Sequence, residues 1–145
     1  MSHYLDMILP FDPEVKISED DVNKLAGELS IDLEDFAQKL LIRWPKGKAD
    51  VFAAANSVEW QIPESRPNQD APDAGDGSLT YGCIVQHYYF PLEVTAEFAL
   101  WYRSYIPLKH PLFLMNESGC GLELLETTTS KDILRAYGWK VVELD

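Results

Sequence analysis

The chain has 145 residues and a formal net charge of −12, from 24 acidic and 12 basic side chains. Its hydrophobic content of 46%, with 12% aromatic residues, suffices for a packed core and excludes a globally disordered chain. The negative charge argues against a nucleic-acid ligand, because a surface that binds phosphates is usually basic. It favours a partner with a basic surface.

Nothing near the first residue predicts a signal peptide, because the apolar stretch 4–10 is short, contains Asp6 and lacks a basic flank. No window has the roughly 18 consecutive apolar residues that a membrane-spanning helix requires. The two cysteines, Cys83 and Cys120, have no spacing typical of a zinc or redox site. We therefore expect a single cytoplasmic domain of 145 residues, with no cofactor, no metal site and no membrane contact.

The first 45 residues predict a strand followed by two helices. Residues 3–10 alternate as a strand does, with Leu5, Met7 and Leu9 on one face. Ser18 is predicted to begin the first helix and Asp32 the second, since both residue types are preferred helix N-caps. Each helix then carries an apolar stripe at helical spacing, and Pro45 ends the second one.

The middle of the chain is predicted to hold strands and one long loop. Residues 46–50 are predicted as a turn, and 51–55 fit either a strand or a helix. Residues 57–62 alternate as a half-buried strand. Residues 63–78 contain three prolines, two glycines and no large apolar side chain, which predicts a mobile loop. Residues 79–90 are predicted as one long central strand, because both faces are mostly apolar or aromatic.

The last third predicts a helix between Pro91 and Pro107 whose apolar positions nearly surround it. Two short strands follow, joined through residues 116–121, and Thr129 with Asp132 predicts the start of a last helix. Residues 139–144 are predicted as a final strand. Short connections favour antiparallel pairing, so the predicted fold is α+β, a largely antiparallel sheet packed with about four helices.

Cys120 lies between Gly119 and Gly121, a setting in which a nucleophile could be presented on a tight turn. A nucleophilic thiol needs a base, and His87 is the best candidate that the sequence offers. The turn leads into another strand rather than into a helix, so it differs from the nucleophile elbow. A thiol-dependent enzyme using Cys120 and His87 is therefore kept as an alternative to a hairpin connection.

Acidic residues are concentrated between positions 12 and 35, with nine acids and two bases. Acids in the first turn of a helix complement the helix dipole, and their spacing does not match that of a calcium loop. As a group they also predict an acidic docking surface for a basic protein. The candidate binding residues are Glu19, Asp20, Asp21, Asp32, Glu34 and Asp35.

Between Ala96 and Gly138, an aromatic helix is followed by "PLFLMNE" and then by a threonine-initiated helix. This segment resembles the C-terminal half of small bacterial proteins, most of them uncharacterised. Some acidic single-domain immunity proteins, which neutralise toxin domains encoded beside them, have a similar layout. The resemblance implies a protein that binds rather than catalyses, and it assigns no site residues. A self-associating structural protein, with the aromatic helix buried in a homodimer, is a further alternative.

Overall fold

The computed structural model describes residues 5–63 and 75–138, and within these it contains seven strands and four α-helices. The strands are β1 (Leu5–Leu9), β2 (Lys48–Phe52), β3 (Ser57–Ile62), β4 (Gly75–Thr80), β5 (Ile84–Tyr88), β6 (Phe113–Asn116) and β7 (Gly121–Glu123). The helices are α1 (Glu19–Leu29), α2 (Leu33–Arg43), α3 (Leu92–Tyr105) and α4 (Ser130–Ala136). The strands form one sheet in the order β2-β3-β4-β5-β1-β6-β7, and all neighbouring pairs are antiparallel. The predicted α+β fold is confirmed.

One face of the sheet packs against the helices. Phe36 of α2 and Phe98 of α3 both contact the Trp60 ring of β3, with ring centroids 5.5 and 5.2 Å away. We call the opposite face the open face, because its side chains are mostly half-buried or exposed. One row across the open face consists of Asp50, Glu59, Ser78, Gln86, Met7 and Met115.

Strand β1 shows that apolar side chains need not face the helices. Leu5 and Met7 are half-buried on the open face, whereas Asp6 and Ile8 are buried on the helix side. Asp6 has a polar neighbour there, which is Tyr137. Burial of Tyr137, together with the charge of Asp6 and a hydrogen bond to it, raises the pKa of Tyr137. The expected strand is confirmed, but Leu5 and Met7 lie on its outer side.

The predicted helix starts are confirmed. The hydroxyl of Ser18 accepts a hydrogen bond from the Asp21 backbone N–H, and the Asp21 carboxylate accepts one from the Ser18 N–H. Asp32 accepts a hydrogen bond from the backbone N–H of Asp35 and begins α2. These bonds satisfy N–H groups that a helix cannot pair internally, which explains why the two helix starts could be predicted from the sequence.

Two predicted irregular segments contain strand residues. Lys48–Asp50, expected within a turn, belong to β2, and the predicted loop 63–78 is strand from Gly75 onward. The remaining loop positions, 64–74, lie outside the described residues. A Cβ at Gly75 would meet the Phe90 ring at 2.6 Å, and one at Gly77 would overlap the Trp60 indole. Glycines that predict a loop by composition thus make room for aromatic rings in the core.

Residues 79–90 form a hairpin and not the single strand that the sequence predicts. Tyr81 and Gly82 both have positive φ, 55° and 70°, as in the type I′ turns that connect neighbouring strands. A Cβ at Gly82 would overlap the side chain of Asn56, so this turn packs closely on the connection between β2 and β3. The sequence did not predict the turn, because the residues on both sides of it alternate as in one strand and because tyrosine is not a typical residue at a positive φ.

The last third follows the prediction more closely. Helix α3 ends at Tyr105, and β6 and β7 are joined through the expected turn. Thr129 and Asp132 form a capping box at the start of α4, and Gly138 has a φ of 81° just after its end. The predicted final strand, 139–144, lies outside the described residues. In the part of the chain that the structure describes, no helix has the length and apolar character needed to cross a membrane.

Candidate functional site

The six candidate acids lie at the N-termini of two consecutive helices. Glu19, Asp20 and Asp21 form the first turn of α1, whereas Asp32 caps α2 and Glu34 and Asp35 lie in its first turn. Helix α1 has 11 residues, a length of about 16 Å, and it separates the two groups. They therefore form two acidic clusters, which we call the α1 acids and the α2 acids.

Some of these carboxylates already serve the fold. The backbone and side chain of Ser18 hold the pKa of Asp21 below its usual value. Asp35 is bound by the side chains of Lys39 and Tyr105, and hydrogen bonds from both lower its pKa. The side chains of Glu19, Asp20 and Glu34 lie exposed at the surface.

The α2 acids border an open cavity of about 490 Å³, which we call the acidic groove. Asp32 and Asp35 line it from the start of α2, and Trp101 and Tyr105 line it from α3. The two aromatic rings stack with centroids 5.6 Å apart and an interplanar angle of 22°. The groove thus combines negative charge with rigid aromatic surface, the combination that commonly anchors a basic side chain.

Lys39 shows how a cation fits this groove. Its Nζ lies 3.1 Å from Oδ2 of Asp35 and 5.5 Å from the centroid of the Tyr105 ring. The Tyr105 hydroxyl donates to the same Asp35 oxygen at 3.0 Å. Burial and this hydrogen bond raise the pKa of Tyr105, so the phenol stays protonated and keeps donating. The Lys39 side chain is 55% exposed, so it occupies the groove without being enclosed by it.

Cys120 lies exposed in the turn between β6 and β7. The side chain of Asn116 organises this turn, since its Oδ1 accepts hydrogen bonds from the N–H groups of Ser118 and Cys120, both at 3.0 Å. Gly119, with a φ of 85°, supplies the left-handed residue. Cys83, in contrast, is buried, and burial raises its pKa to about 11, which keeps it a thiol.

His87 is buried on the helix side of β5, and the structure does not bring it to Cys120. Its Nε2 accepts a hydrogen bond from Nε1 of Trp60 at 3.2 Å, which leaves the ring proton on Nδ1, 3.4 Å from Oγ1 of Thr95. Complete burial lowers the pKa of His87 to about 3. With both nitrogens engaged and β1 and β6 between it and the Cys120 turn, His87 serves the core.

Within residues 5–63 and 75–138, no group of three or more His, Cys, Asp or Glu side chains is arranged to hold a metal ion. Comparisons of the chain with protein-family models, curated proteins and solved structures found no match.

The sequence predicts the acids but not the aromatic side chains that contact them. Trp101 and Tyr105 belong to the apolar positions expected to be buried, and the structure leaves both half-buried at the groove. The i, i+4 spacing of Asp35 and Lys39 was a signal for their ion pair. Nothing in the spacing predicts that α3 would bring Tyr105 to Asp35, 70 residues away.

Proposed function

We propose that this protein is a non-catalytic binding protein of the immunity or antitoxin type, which docks a protein with a basic surface through its acidic N-terminal helices. The observation that carries the proposal is the contact of Asp35 with Tyr105, which places a carboxylate against an aromatic ring at the edge of an open groove. The α2 acids supply charge there, and the α1 acids extend the negative field along the helix.

The physical basis is a division of labour between charge and aromatic surface. Exposed acids accelerate the approach of a basic partner and make association sensitive to salt. Trp and Tyr side chains that are already fixed in place contribute most of the affinity in many interfaces. We propose a different protein as the partner, because repulsion between two copies that each carry a charge of −12 disfavours self-association.

The test begins with affinity capture from a native lysate of the source organism and identification of the captured protein. Association of the purified pair is then measured at low and at moderate salt. Glu34→Lys and the pair Glu19→Lys with Asp20→Lys reverse exposed charges outside the capping hydrogen bonds. Asp32→Asn removes a charge and preserves the cap, because Asn caps helices about as well as Asp. We expect the association rate constant to fall by about ten-fold and its salt dependence to weaken.

The matched control is Glu93→Lys, which also reverses an acid in the first turn of a helix but lies at the far end of α3 from Tyr105. It carries the same helix-dipole penalty and leaves the groove intact. Binding that survives both sets of charge changes with unaltered rate and salt dependence would contradict the proposal.

A further inference from the structure

A second, apolar cavity of about 440 Å³ lies beside the acidic groove, and we call it the leucine pocket. The two share Ser104, Ile106 and Pro107 as lining residues, so they adjoin across a ridge at the end of α3. Leu108 and Leu125 lie in its wall with 56% and 52% of their surfaces exposed. Two large aliphatic side chains exposed in one concave wall mark a surface that is suited to cover by another molecule.

Arg103 holds both walls of the leucine pocket in place. Its guanidinium donates to the backbone carbonyls of Ile106 at 3.0 Å, Pro107 at 2.9 Å and His110 at 2.9 Å, and more weakly to that of Leu124 at 3.4 Å. The residue is only 5% exposed. These bonds tie the segment after α3 to the segment after β7, which carry Leu108 and Leu125 respectively. The two segments are therefore already held together before anything binds, which lowers the entropic penalty of occupying the pocket.

Acidic side chains line both the leucine pocket and the groove that adjoins it. Asp32 and Asp35 lie in the adjoining groove, and Glu126 lies in the leucine pocket itself. Charge complementarity therefore selects an occupant that is aliphatic where it meets the leucines and cationic where it meets the carboxylates. Lys39 already places an ammonium against Asp35 and Tyr105, so a cation from outside must displace it.

We infer that the two cavities together bind one linear segment of a basic partner. The segment places an arginine or lysine against Asp35 and the Tyr105 ring, in place of Lys39, and lays a neighbouring aliphatic side chain against Leu108 and Leu125. The inference rests on the proposed function and narrows it, because it states which surface of the partner is recognised and which residue of this chain competes with it.

The test uses small defined probes followed by NMR of the folded, full-length protein. N-acetyl-arginine methylamide should shift the indole signal of Trp101, and its uncharged citrulline analogue should not. N-acetyl-leucine methylamide should shift the methyl signals of Leu108 and Leu125. Peptides in which one arginine and one leucine are separated by one to four glycines should include one that binds about ten-fold tighter than either probe alone.

Two variants make the result specific. Lys39→Gln removes the competing ammonium and should tighten binding of the arginine probe by about two- to five-fold, the equivalent of an exposed ion pair. Leu125→Ser should abolish the response to the leucine probe and leave the arginine response unchanged. A Lys39→Gln protein that binds the arginine probe no better, or more weakly, would overturn the role of Lys39 as a competitor.

The outcomes separate this inference from the function it rests on. An arginine response without any leucine response overturns the two-cavity segment but leaves an acidic docking groove. Absence of both responses removes the groove from the proposed function as well. Concentration-dependent shifts of the Leu108 and Leu125 methyls in the protein alone would assign the pocket to a second copy and overturn the inference.

Discussion

Trp60 on β3 hydrogen-bonds to His87 on β5 across the intervening strand β4, with 3.2 Å between Nε1 and Nε2. Gly77 of β4 pairs with Trp60 on one side and with His87 on the other. Because Gly77 has no side chain, the indole can lie over this position and reach the imidazole. The imidazole is packed against Phe90 and Phe98, with ring centroids 4.1 and 4.3 Å away. A residue with catalytic potential is thus held as part of the core.

Replacement of Gly77 by alanine should destabilise the protein by about 3 kcal/mol, since the added methyl group displaces the Trp60 ring in a packed core. Gly27, in α1, is the matched control, because nothing lies within 4 Å of a Cβ added there. Gly27→Ala should stabilise by about 0.5–1 kcal/mol through helix propensity and reduced freedom of the unfolded chain. Urea denaturation of both variants measures the difference, and equal effects would contradict the packing of Trp60 over Gly77.

Burial of neutral His87 should make stability depend on pH. Its pKa is about 3 in the folded protein against 6.5 for an unperturbed histidine, so between these values only the unfolded chain binds the proton. Stability is therefore greatest above pH 6.5 and declines as the pH falls, with a limiting slope of about 1.4 kcal/mol per pH unit. Between about pH 6.5 and 5, above the range in which carboxylates titrate, we expect a loss of roughly 1.5 kcal/mol.

His87→Gln provides the comparison for this pH effect. The variant is less stable at every pH, since it loses the packing and hydrogen bonds of the ring, but its stability should be nearly flat over the same interval. Denaturant midpoints at several pH values test this. Parallel pH profiles for the two proteins would show that another group is responsible.

Loss of the hydroxyl group should change the stability of the protein in opposite directions at two tyrosines of α3. Within the described residues the buried Tyr102 hydroxyl has no hydrogen-bond partner, and burial raises its pKa. Tyr102→Phe should therefore leave stability unchanged or raise it by up to about 1 kcal/mol, because an unsatisfied polar group is removed. Tyr105→Phe should lower the melting temperature, because it breaks the 3.0 Å bond to Asp35. A larger loss for Tyr102→Phe than for Tyr105→Phe would contradict this assignment.

The thiols should differ in their access to alkylating reagents. Cys120 is exposed and Cys83 is buried with a raised pKa, so native protein should take up one equivalent of iodoacetamide and denatured protein two. Native Cys120→Ser should take up none. Labelling of Cys120 at the rate of a free cysteine is expected for a hairpin turn without an adjacent base. A rate many times higher would support the thiol-dependent alternative.

The elements that could be predicted are those specified by neighbouring residues. Helix starts at Ser18, Asp32 and Thr129 follow from side chains that bond N–H groups three residues away. Strand β3 could be predicted because its buried residues alternate strictly with less buried ones. The hairpin at Tyr81 and the strand at Gly75–Ser78 were not, because their residue choice depends on Asn56, Trp60 and Phe90, which are distant in sequence.

The residues of the candidate site also include some that the sequence predicts and others that it does not. The acids of α1 and α2 stand out in the sequence because they are close together in it. Tyr105 and Leu125 reach the same surface only through the packing of α3 and the connection after β7. Only a weak indication for Arg103 is present in the sequence, because it is the single arginine in a helix that is otherwise expected to be buried on nearly all sides. Its carbonyl partners could be identified only after the chain had folded.

The acids on the open face have a consequence at the edge of the sheet. Among the described strands β2 is the outermost on its side, and Asp50 is its middle residue. A second copy that paired with this edge symmetrically about Asp50 would place its own Asp50 directly opposite, with Glu59 next to the pair on β3. Because facing carboxylates repel, sheet-to-sheet growth in this register is disfavoured. A register centred on Ala49 would instead pair Asp50 with Lys48 of the second copy, so the charges of this edge select the register of an added strand.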